Sequence, residues 1–290
     1  MTAAPTNDPA NSPATAKVAI VTGASSGIGH ATALRLHKAG YTVYAGARRL
    51  EKMKDLADLG IHAIELDVTD DASMVAIIDQ VIAETGHIDV LVNNAGYGAF
   101  GALEDVPTDE GRRQFGVNVF GLARLTQLVL PHMRAQKSGR IINMSSMGGR
   151  ICEPLGSWYH ATKFAVEGMS DALRLEVAPF GIHVVLIEPG GMNTEWGGIA
   201  ADSLLAASAH TAYAAQATGV ARMLRSVDEK PKPSSSPDRI AKAVVRAAHT
   251  RRPKTRYLLG PGAKPLVTLH RFLPDRAFDR ILKRVFKPVS

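Results

Sequence analysis

Tyr159 and Lys163 stand four residues apart in the stretch Tyr159-His160-Ala161-Thr162-Lys163. On a helix, that spacing sets a phenol hydroxyl and an ammonium on one face, one turn apart. A free tyrosine titrates near pH ~10 and exchanges protons poorly at neutral pH. A neighbouring cation favours the phenolate and draws the group toward the range in which general acid–base chemistry works. The pair alone is a weak signal, because an exposed Tyr and Lys on an ordinary helix have the same spacing. Its meaning depends on what the rest of the chain delivers to it.

A second constellation lies near the start of the chain. An apolar run over residues 17–21 enters Thr22-Gly23-Ala24-Ser25-Ser26-Gly27-Ile28-Gly29, and helix-forming composition follows over residues 31–39 before Gly40. This reads as a buried strand, a glycine-rich turn and a helix. Such a turn lets the backbone approach a pyrophosphate, which the free N–H groups of the helix N-terminus stabilise. The spacing Gly-x-x-x-Gly-x-Gly differs from the commoner Gly-x-Gly-x-x-Gly, and a turn demanded by sterics alone is the competing reading. The second strand, residues 42–45, runs into Gly46-Ala47-Arg48-Arg49. An NAD-selective site places a carboxylate about 20 positions past the glycines. Here Arg48 and Arg49 stand in its place, and a guanidinium suits a phosphate, so NADP(H) is expected in preference to NAD(H), which stays possible. Two solvated arginines at a helix start are the alternative.

The elements that must position these groups alternate. A helix over 50–59, a strand over 62–66 ending at Asp67-Val68, a helix over 71–84 and a strand over 88–92 ending at Asn93-Asn94-Ala95-Gly96 follow in order. That rhythm argues for an α/β fold, a doubly wound parallel sheet with helices on both faces. Ligands in such sheets lie beyond the carboxyl ends of the strands, where Thr22, Arg48, Asp67 and Asn93 all fall. A long helix is expected over 108–137, with Asn118 inside its apolar pattern. A strand over 140–144 then delivers Ser145-Ser146 to the same edge. The Tyr159/Lys163 helix should run to about residue 178, and a strand over 183–187 should end at Glu188-Pro189-Gly190-Gly191-Met192-Asn193-Thr194.

Bulk properties narrow the class. The chain has 290 residues, 46% hydrophobic and 21% charged, which fits a globular domain with a full core. One cysteine excludes an internal disulfide framework and fits a reducing, cytoplasmic setting. No apolar run is long enough to span a bilayer, and no metal-ligand set is expected. Residues 1–16, rich in Ala, Pro, Asn, Ser and Thr, read as a disordered tail and not as a signal peptide. The net charge of +7 is regional. Residues 238–290 hold 14 Lys and Arg against three Asp, so the preceding body is mildly acidic. That distribution, with no reading motif, disfavours nucleic-acid binding.

Taken together, these motifs resemble the short-chain dehydrogenase/reductase family, in particular its hydroxysteroid or retinol dehydrogenase-like members. The likeness covers roughly residues 17–260 in the family's order and spacing: the glycine turn, Asp67, Asn93-Asn94-Ala95-Gly96, Asn118, Ser146, Tyr159 with Lys163, and Pro189-Gly190 with Thr194. Ser145 and Ser146 compete for the family's serine, and Ser146, 13 positions before the tyrosine, is preferred. The resemblance implies that Tyr159 exchanges the proton with the substrate oxygen as hydride passes to or from the nicotinamide. Lys163 would lower the tyrosine pKa and hold the nicotinamide ribose, Ser146 would bond the substrate oxygen, and Asn118 would position a water. It also implies a cofactor site built from Gly23, Ser25, Ser26, Gly27, Ile28, Gly29, Arg48, Arg49, Asp67, Val68, Asn94, Ala95, Gly96, Tyr159, Lys163, Pro189, Gly190, Met192 and Thr194. Homodimers or homotetramers through the helices carrying Asn118 and Tyr159 are common in the family. A catalytically silent NADP(H)-sensing protein is the alternative, disfavoured because Asn118, Ser146, Tyr159 and Lys163 are all present.

The expected pocket wall is apolar: Tyr97, Phe100, Leu155, Trp158, Met192 and Trp196, under an Ala-rich lid over residues 199–230. Such a wall favours a hydrophobic alcohol or ketone of steroid, retinoid or lipid type. A Pro/Ser linker, residues 231–237, precedes a helix over 238–248 and a last strand over 255–259. Residues 261–290 form a basic, amphipathic extension divided by Pro274. It could lie on an anionic membrane surface, or pack on the sheet or on a second subunit with its arginines solvated.

Overall fold

The computed structural model describes residues 16–229 and 235–286. The tail expected over 1–16 therefore lies outside the described residues but for residue 16, as do residues 231–234 of the linker and 287–290 of the extension. Val18–Thr22 (β1) is buried along its whole length, as a central parallel strand with both faces covered must be. Its side chains alternate. Ala19 and Val21 join one core with Leu36, Ile240 and Val244, while Val18 and Ile20 join another with Ile77, Val81, Leu125 and Val129. A one-residue slip would exchange these faces, so the two cores pin the register.

The remaining strands are Thr42–Ala47 (β2), His62–Glu65 (β3), Val90–Asn93 (β4), Gly139–Met144 (β5), Ile182–Pro189 (β6) and Arg256–Leu259 (β7). They form one seven-stranded parallel sheet in the order β3-β2-β1-β4-β5-β6-β7. The winding reverses between β1 and β4, which opens a crevice at their carboxyl ends. Gly27–Lys38 (α1) and Pro237–His249 (α9) pack on one face. Asp71–Thr85 (α3), Leu122–Gln136 (α5) and Ser157–Val177 (α6) pack on the other. Lys54–Asp58 (α2) follows a short 3₁₀ turn and buries Leu56 beside α1.

The helix expected over 108–137 is not continuous. Thr108–Phe115 (α4) passes into a π-helical segment, Gly116–Gly121, before α5 begins. The wider π turn sits where Asn118 points inward, and one extra residue per turn there re-aims a side chain without ending the helix. Over the sheet's carboxyl edge lie Glu195–Ser208 (α7) and Ala214–Glu229 (α8), which share a cluster with Phe100, Leu155 and Tyr159.

The C-terminal extension divides at Pro274 into Ala263–Phe272 (α10) and Asp275–Val285 (α11). Phe278 is buried with its ring 4.7 Å from that of His270, and Phe286 packs on the cluster shared by α7 and α8. Leu269, Phe272 and Val285 stay exposed among its basic residues. No described helix is long and apolar enough to cross a membrane.

Candidate active site

The glycine turn is built by close approach. A Cβ on Gly29 would lie 2.3 Å from the Gly23 carbonyl oxygen and 2.5 Å from Nδ2 of Asn94, so the first turn of α1 packs this closely on the turn after β1 because residue 29 has no side chain. Gly23 and Gly27 have φ of +67° and +55°, which side-chain-bearing residues rarely adopt. Thr22 staples the turn to β4: its Oγ1 accepts from the amides of Asn94 (3.0 Å) and Ala95 (2.9 Å). Nδ2 of Asn94 donates in return to the Thr22 carbonyl at 2.9 Å. Ser26 precedes α1 without capping it, and no acidic residue lies in the first turn. The helix therefore presents unsatisfied N–H groups and a positive dipole end to the crevice.

Arg48 and Arg49 are both exposed at the end of β2, and Arg49 reaches Oγ of Ser25 at 3.3 Å. Burial works against the charge of Asp67, but two bonds from Thr69 and the Arg48 guanidinium together hold its carboxyl below the usual range. Val68 lies buried beneath it. An open glycine turn, an uncapped helix start and two exposed guanidinium groups fit the diphosphate and phosphate of a dinucleotide.

The polar residues of the sequence reading meet at the ends of β4 and β5. Lys163 is buried and donates to the Met144 carbonyl at 2.8 Å, while its Nζ sits 5.9 Å from the centre of the Tyr159 ring. Asn118 is buried as well. Its Nδ2 donates to the Tyr97 carbonyl (2.9 Å) and Thr162 Oγ1 (3.1 Å), and its Oδ1 accepts from the Tyr97 amide (3.1 Å). Gly96 lies between them, where a Cβ would be 3.1 Å from Oδ1 of Asn118 and 3.8 Å from Nζ of Lys163. Of the two serines, Ser146 faces Tyr159, accepts from the Gly148 amide at 3.0 Å and contacts the Pro189 carbonyl at 3.4 Å. Ser145 turns away toward Gly149 and Glu167.

Electrostatics here differ from the simple cation-beside-phenol expectation. Burial pushes the Tyr159 hydroxyl well above its ordinary value, Glu153 adds to that rise, and the hydrogen bond with Ser146 opposes it. Burial also depresses Lys163 to about 8, with Glu167 one turn on partly restoring the charged form. Removal from water is the largest cause of both shifts. Behind the lysine, the Arg256 guanidinium bonds Glu167 (3.0 Å), Asp171 (2.7 Å) and Glu188 (3.1 Å), and Arg150 bonds Glu188 at 3.2 Å. Burial and the neighbouring Glu167 raise Glu188 to about 7. This network ties α6 to β6 and β7 and so fixes the lysine's helix.

The apolar wall closes over Tyr159. Phe100 and Trp196 place their ring centres 5.5 Å and 5.1 Å from it, and they meet each other edge-to-face at 5.8 Å. Trp196 comes this close because Gly98 has no Cβ; one there would lie 2.6 Å from the indole. Thr194 caps α7 and packs on Gly27. Met192 is buried with its sulfur beside Gly260, and Gly190 admits no side chain against Pro261. Leu155 is buried in the same cluster and holds a φ of +64°.

Two expected wall residues point elsewhere. Trp158, one residue before Tyr159 and so about 100° around the helix, covers Gly111 and packs its ring against Phe115 at 6.4 Å. Tyr97 sends its hydroxyl to Glu110 at 2.8 Å. The sequence reading missed Thr162, which supports Asn118, and His160, whose Nδ1 is 2.8 Å from the Gly148 carbonyl and whose Nε2 accepts from the Glu153 amide at 2.9 Å. A histidine directly after the tyrosine was the available signal for the second.

A family model described as short chain dehydrogenase matches residues 17–202. The chain is 35% identical over 269 residues to a 3-ketodihydrosphingosine reductase of Bacteroides thetaiotaomicron, covering 92% of this chain and 97% of the relative. It is 33% identical over 287 residues to an NADPH-dependent 3-dehydrocapnine reductase of Ornithobacterium rhinotracheale, covering 94% and 99%. The crystal structure of a short-chain dehydrogenase from Streptomyces avermitilis superposes with a TM-score of 0.77 at 38% identity, covering 93% of this chain and 97% of that one.

Proposed function

The chain belongs to the short-chain dehydrogenase/reductase family, and from that premise we propose that it is an NADP(H)-dependent oxidoreductase interconverting a hydrophobic alcohol and its ketone or aldehyde. One observation carries the reading. Asn118, Ser146, Tyr159 and Lys163 converge beneath an aromatic wall at the same sheet edge as an uncapped, glycine-rich helix start. The dinucleotide would be held by the Gly23–Gly29 turn, Arg48, Arg49, Asp67 and the Pro189–Thr194 segment, and its nicotinamide would supply or accept the hydride.

Everything else is done by the protein's own groups. Ser146 orients the substrate oxygen and offers a hydrogen bond to charge developing on it. Tyr159 gives that oxygen its proton in reduction and takes it back in oxidation. Its raised pKa suits it to the neutral, donating form that the reductive half of the cycle requires. Lys163, close to neutrality at about 8, can return a proton to Tyr159 between turnovers. Asn118 holds the Tyr97 backbone and Thr162 so that the lysine's surroundings stay fixed.

The two relatives named above act, by their names, on a 3-keto and a 3-dehydro compound. A ketone on an apolar chain fits a wall of Phe100, Leu155 and Trp196 better than a sugar does. The NADPH dependence of one relative accords with Arg48 and Arg49. Residues 199–230 act as the lid, and exposed Phe120 and Phe164 suit a homo-oligomeric contact through the Asn118 and Tyr159 helices. The exposed Leu269, Phe272 and Val285 among basic side chains suit peripheral contact with an anionic membrane carrying such substrates.

The test is a turnover screen over steroid, retinoid and aliphatic ketones with NADPH and NADH in parallel, run on the wild type and on Tyr159→Phe. Loss of turnover in Tyr159→Phe with NADPH binding retained is expected. Full activity in that variant would end the acid–base assignment.

A further inference from the structure

Glu188 stands near the end of β6, directly before the Pro189–Thr194 segment, and the reaction above gives it no part. It is 1% exposed, which is costly for a carboxylate unless its oxygens are bonded. Its Oε1 accepts from Nη1 of Arg150 at 3.2 Å and lies 3.1 Å from Nε of Arg256. Each arginine leads to a different part of the site. Arg150 closes the short turn Met147–Gly149, which Ser146 opens by accepting from the Gly148 amide, and its own amide donates to the Met147 carbonyl at 2.9 Å. Arg256 continues to Glu167 (3.0 Å) and Asp171 (2.7 Å), one and two turns past Lys163 on α6. The strand itself runs on into Pro189, whose carbonyl Ser146 contacts, and Gly190, whose amide donates to the Leu259 carbonyl at 2.7 Å. One buried carboxylate is thus linked to the serine's turn, the lysine's helix and the expected cofactor segment.

The charged groups facing Glu188 are Arg150 from the loop after β5, Arg256 from β7 and Glu167 from α6, with Asp171 held by Arg256 as well. Two buried acids therefore share one arginine, and Oε1 of Glu167 is left with no hydrogen-bond partner among the described residues. Apolar side chains of the same volume often join elements as firmly as such a cluster, so stability alone is a poor reason for it. What the ions add is direction, because a guanidinium and a carboxylate fix distance and angle together.

We propose that Glu188 is a positioning residue for hydride transfer: acting through Arg150 and Arg256, its carboxylate holds the Ser146 turn, the Lys163 helix and the Pro189–Thr194 segment in one alignment. The proposal rests on the hydride-transfer reading of the same site. It carries a pH dependence of definite sign. Burial and Glu167 raise Glu188 to about 7, and Arg150 and Arg256 oppose that rise. Above that value the carboxylate engages both arginines, and as pH falls through it the proton weakens both contacts and the alignment with them.

The experiment follows the single-turnover oxidation of bound NADPH by dodecan-3-one in stopped flow, from about pH 5.5 to pH 8, in the wild type, Glu188→Gln and Arg150→Gln. Glutamine has the shape of the protonated acid, so Glu188→Gln should react at the wild type's low-pH rate throughout. The ratio of wild-type to Glu188→Gln rates should climb from about one at the acid end to about tenfold at the alkaline end, the loss expected of a small misalignment. Every other titrating group is common to both proteins and cancels in that ratio. Arg150→Gln removes one cation from the carboxylate and should move the acid limb to higher pH, so the proposal stays testable where Glu188→Gln does not fold. A ratio that does not change with pH, as a general loss of packing would give, or an acid limb that Arg150→Gln leaves in place, overturns the Glu188 assignment alone. Failure of the wild type to reduce dodecan-3-one while it binds NADPH overturns the hydride-transfer reading for this ketone class, and this proposal with it.

Discussion

Lys163 is expected to hold its place at the expense of the fold. The residue is 7% exposed, and burial lowers its pKa from 10.5 to about 8. At about 1.4 kcal/mol per unit, the charged form is disfavoured in the native state by about 3 kcal/mol. The sign follows from the direction of the shift. Below the folded value of about 8, the lysine is charged in both states and the native state bears the whole penalty. Between about 8 and the unfolded value near 10.5 the native lysine is already neutral, so the penalty fades as pH rises. Lys163→Met keeps the length of the side chain, removes the charge and gives up the bond to the Met144 carbonyl, worth about 1 kcal/mol. The net expectation at pH 7 is a more stable protein by about 2 kcal/mol, a rise in Tm of about 4–8 °C, with turnover lost. Denaturant melts at about pH 6.5 and pH 9.5 check it: the advantage over wild type should shrink by about 2 kcal/mol at the higher value. A variant that is less stable at pH 7, or an advantage that does not change with pH, would refute the claim that this lysine is held charged against its desolvation.

Three further outcomes follow from the geometry. Arg48→Glu should raise KM for NADPH by about 10- to 100-fold while changing KM for NADH far less, because it replaces the expected charge-assisted phosphate contact with a like charge; equal effects on both cofactors would show that Arg48 does not read the phosphate. Gly29→Ala puts a methyl 2.3 Å from the Gly23 carbonyl oxygen, so fluorescence titration should show NADPH affinity lost or severely reduced, and unchanged affinity would mean the turn can open freely. The Trp196 and Tyr159 rings are 5.1 Å apart, whereas a planar group between them needs roughly 7 Å. A ketone seated between these rings therefore requires α7 to shift, and Trp196→Ala should speed ketone association in stopped flow several-fold while weakening its affinity about tenfold; an unchanged association rate would rule out gating by this ring.

The architecture was legible because each strand is a short apolar run ending in chemistry. Thr22, Arg48, Asp67 and Asn93 recur at the ends of successive runs, and only a parallel sheet with a shared carboxyl edge gathers them. Boundaries were less legible where backbone geometry departs from the regular period. Nothing in the composition of residues 108–137 separates α4 from α5, since the π-helical turn at Asn118 is set by that side chain's three bonds to Tyr97 and Thr162, which are tertiary. Tyr97 and Trp158 show the same limit in the pocket. Both are aromatic and adjacent in sequence to site residues, but direction follows the helix angle and the partner offered, and Glu110 and Gly111 draw them toward α4.

The electrostatic character of the site was the least legible part, and for a definite reason. Sequence spacing brings an ammonium and a phenol together, but their protonation depends on how much water each has lost, which only the packing decides. The wall of Phe100, Leu155 and Trp196 removes water from Tyr159, and Lys163 is buried as well, so the two groups are driven toward their neutral forms together. A neutral phenol is a proton donor and a lysine near 8 is a possible source of its replacement proton, so the same burial that costs stability also fixes the protonation of the pair. Glu153 acts in the same sense, because its charge further disfavours the phenolate.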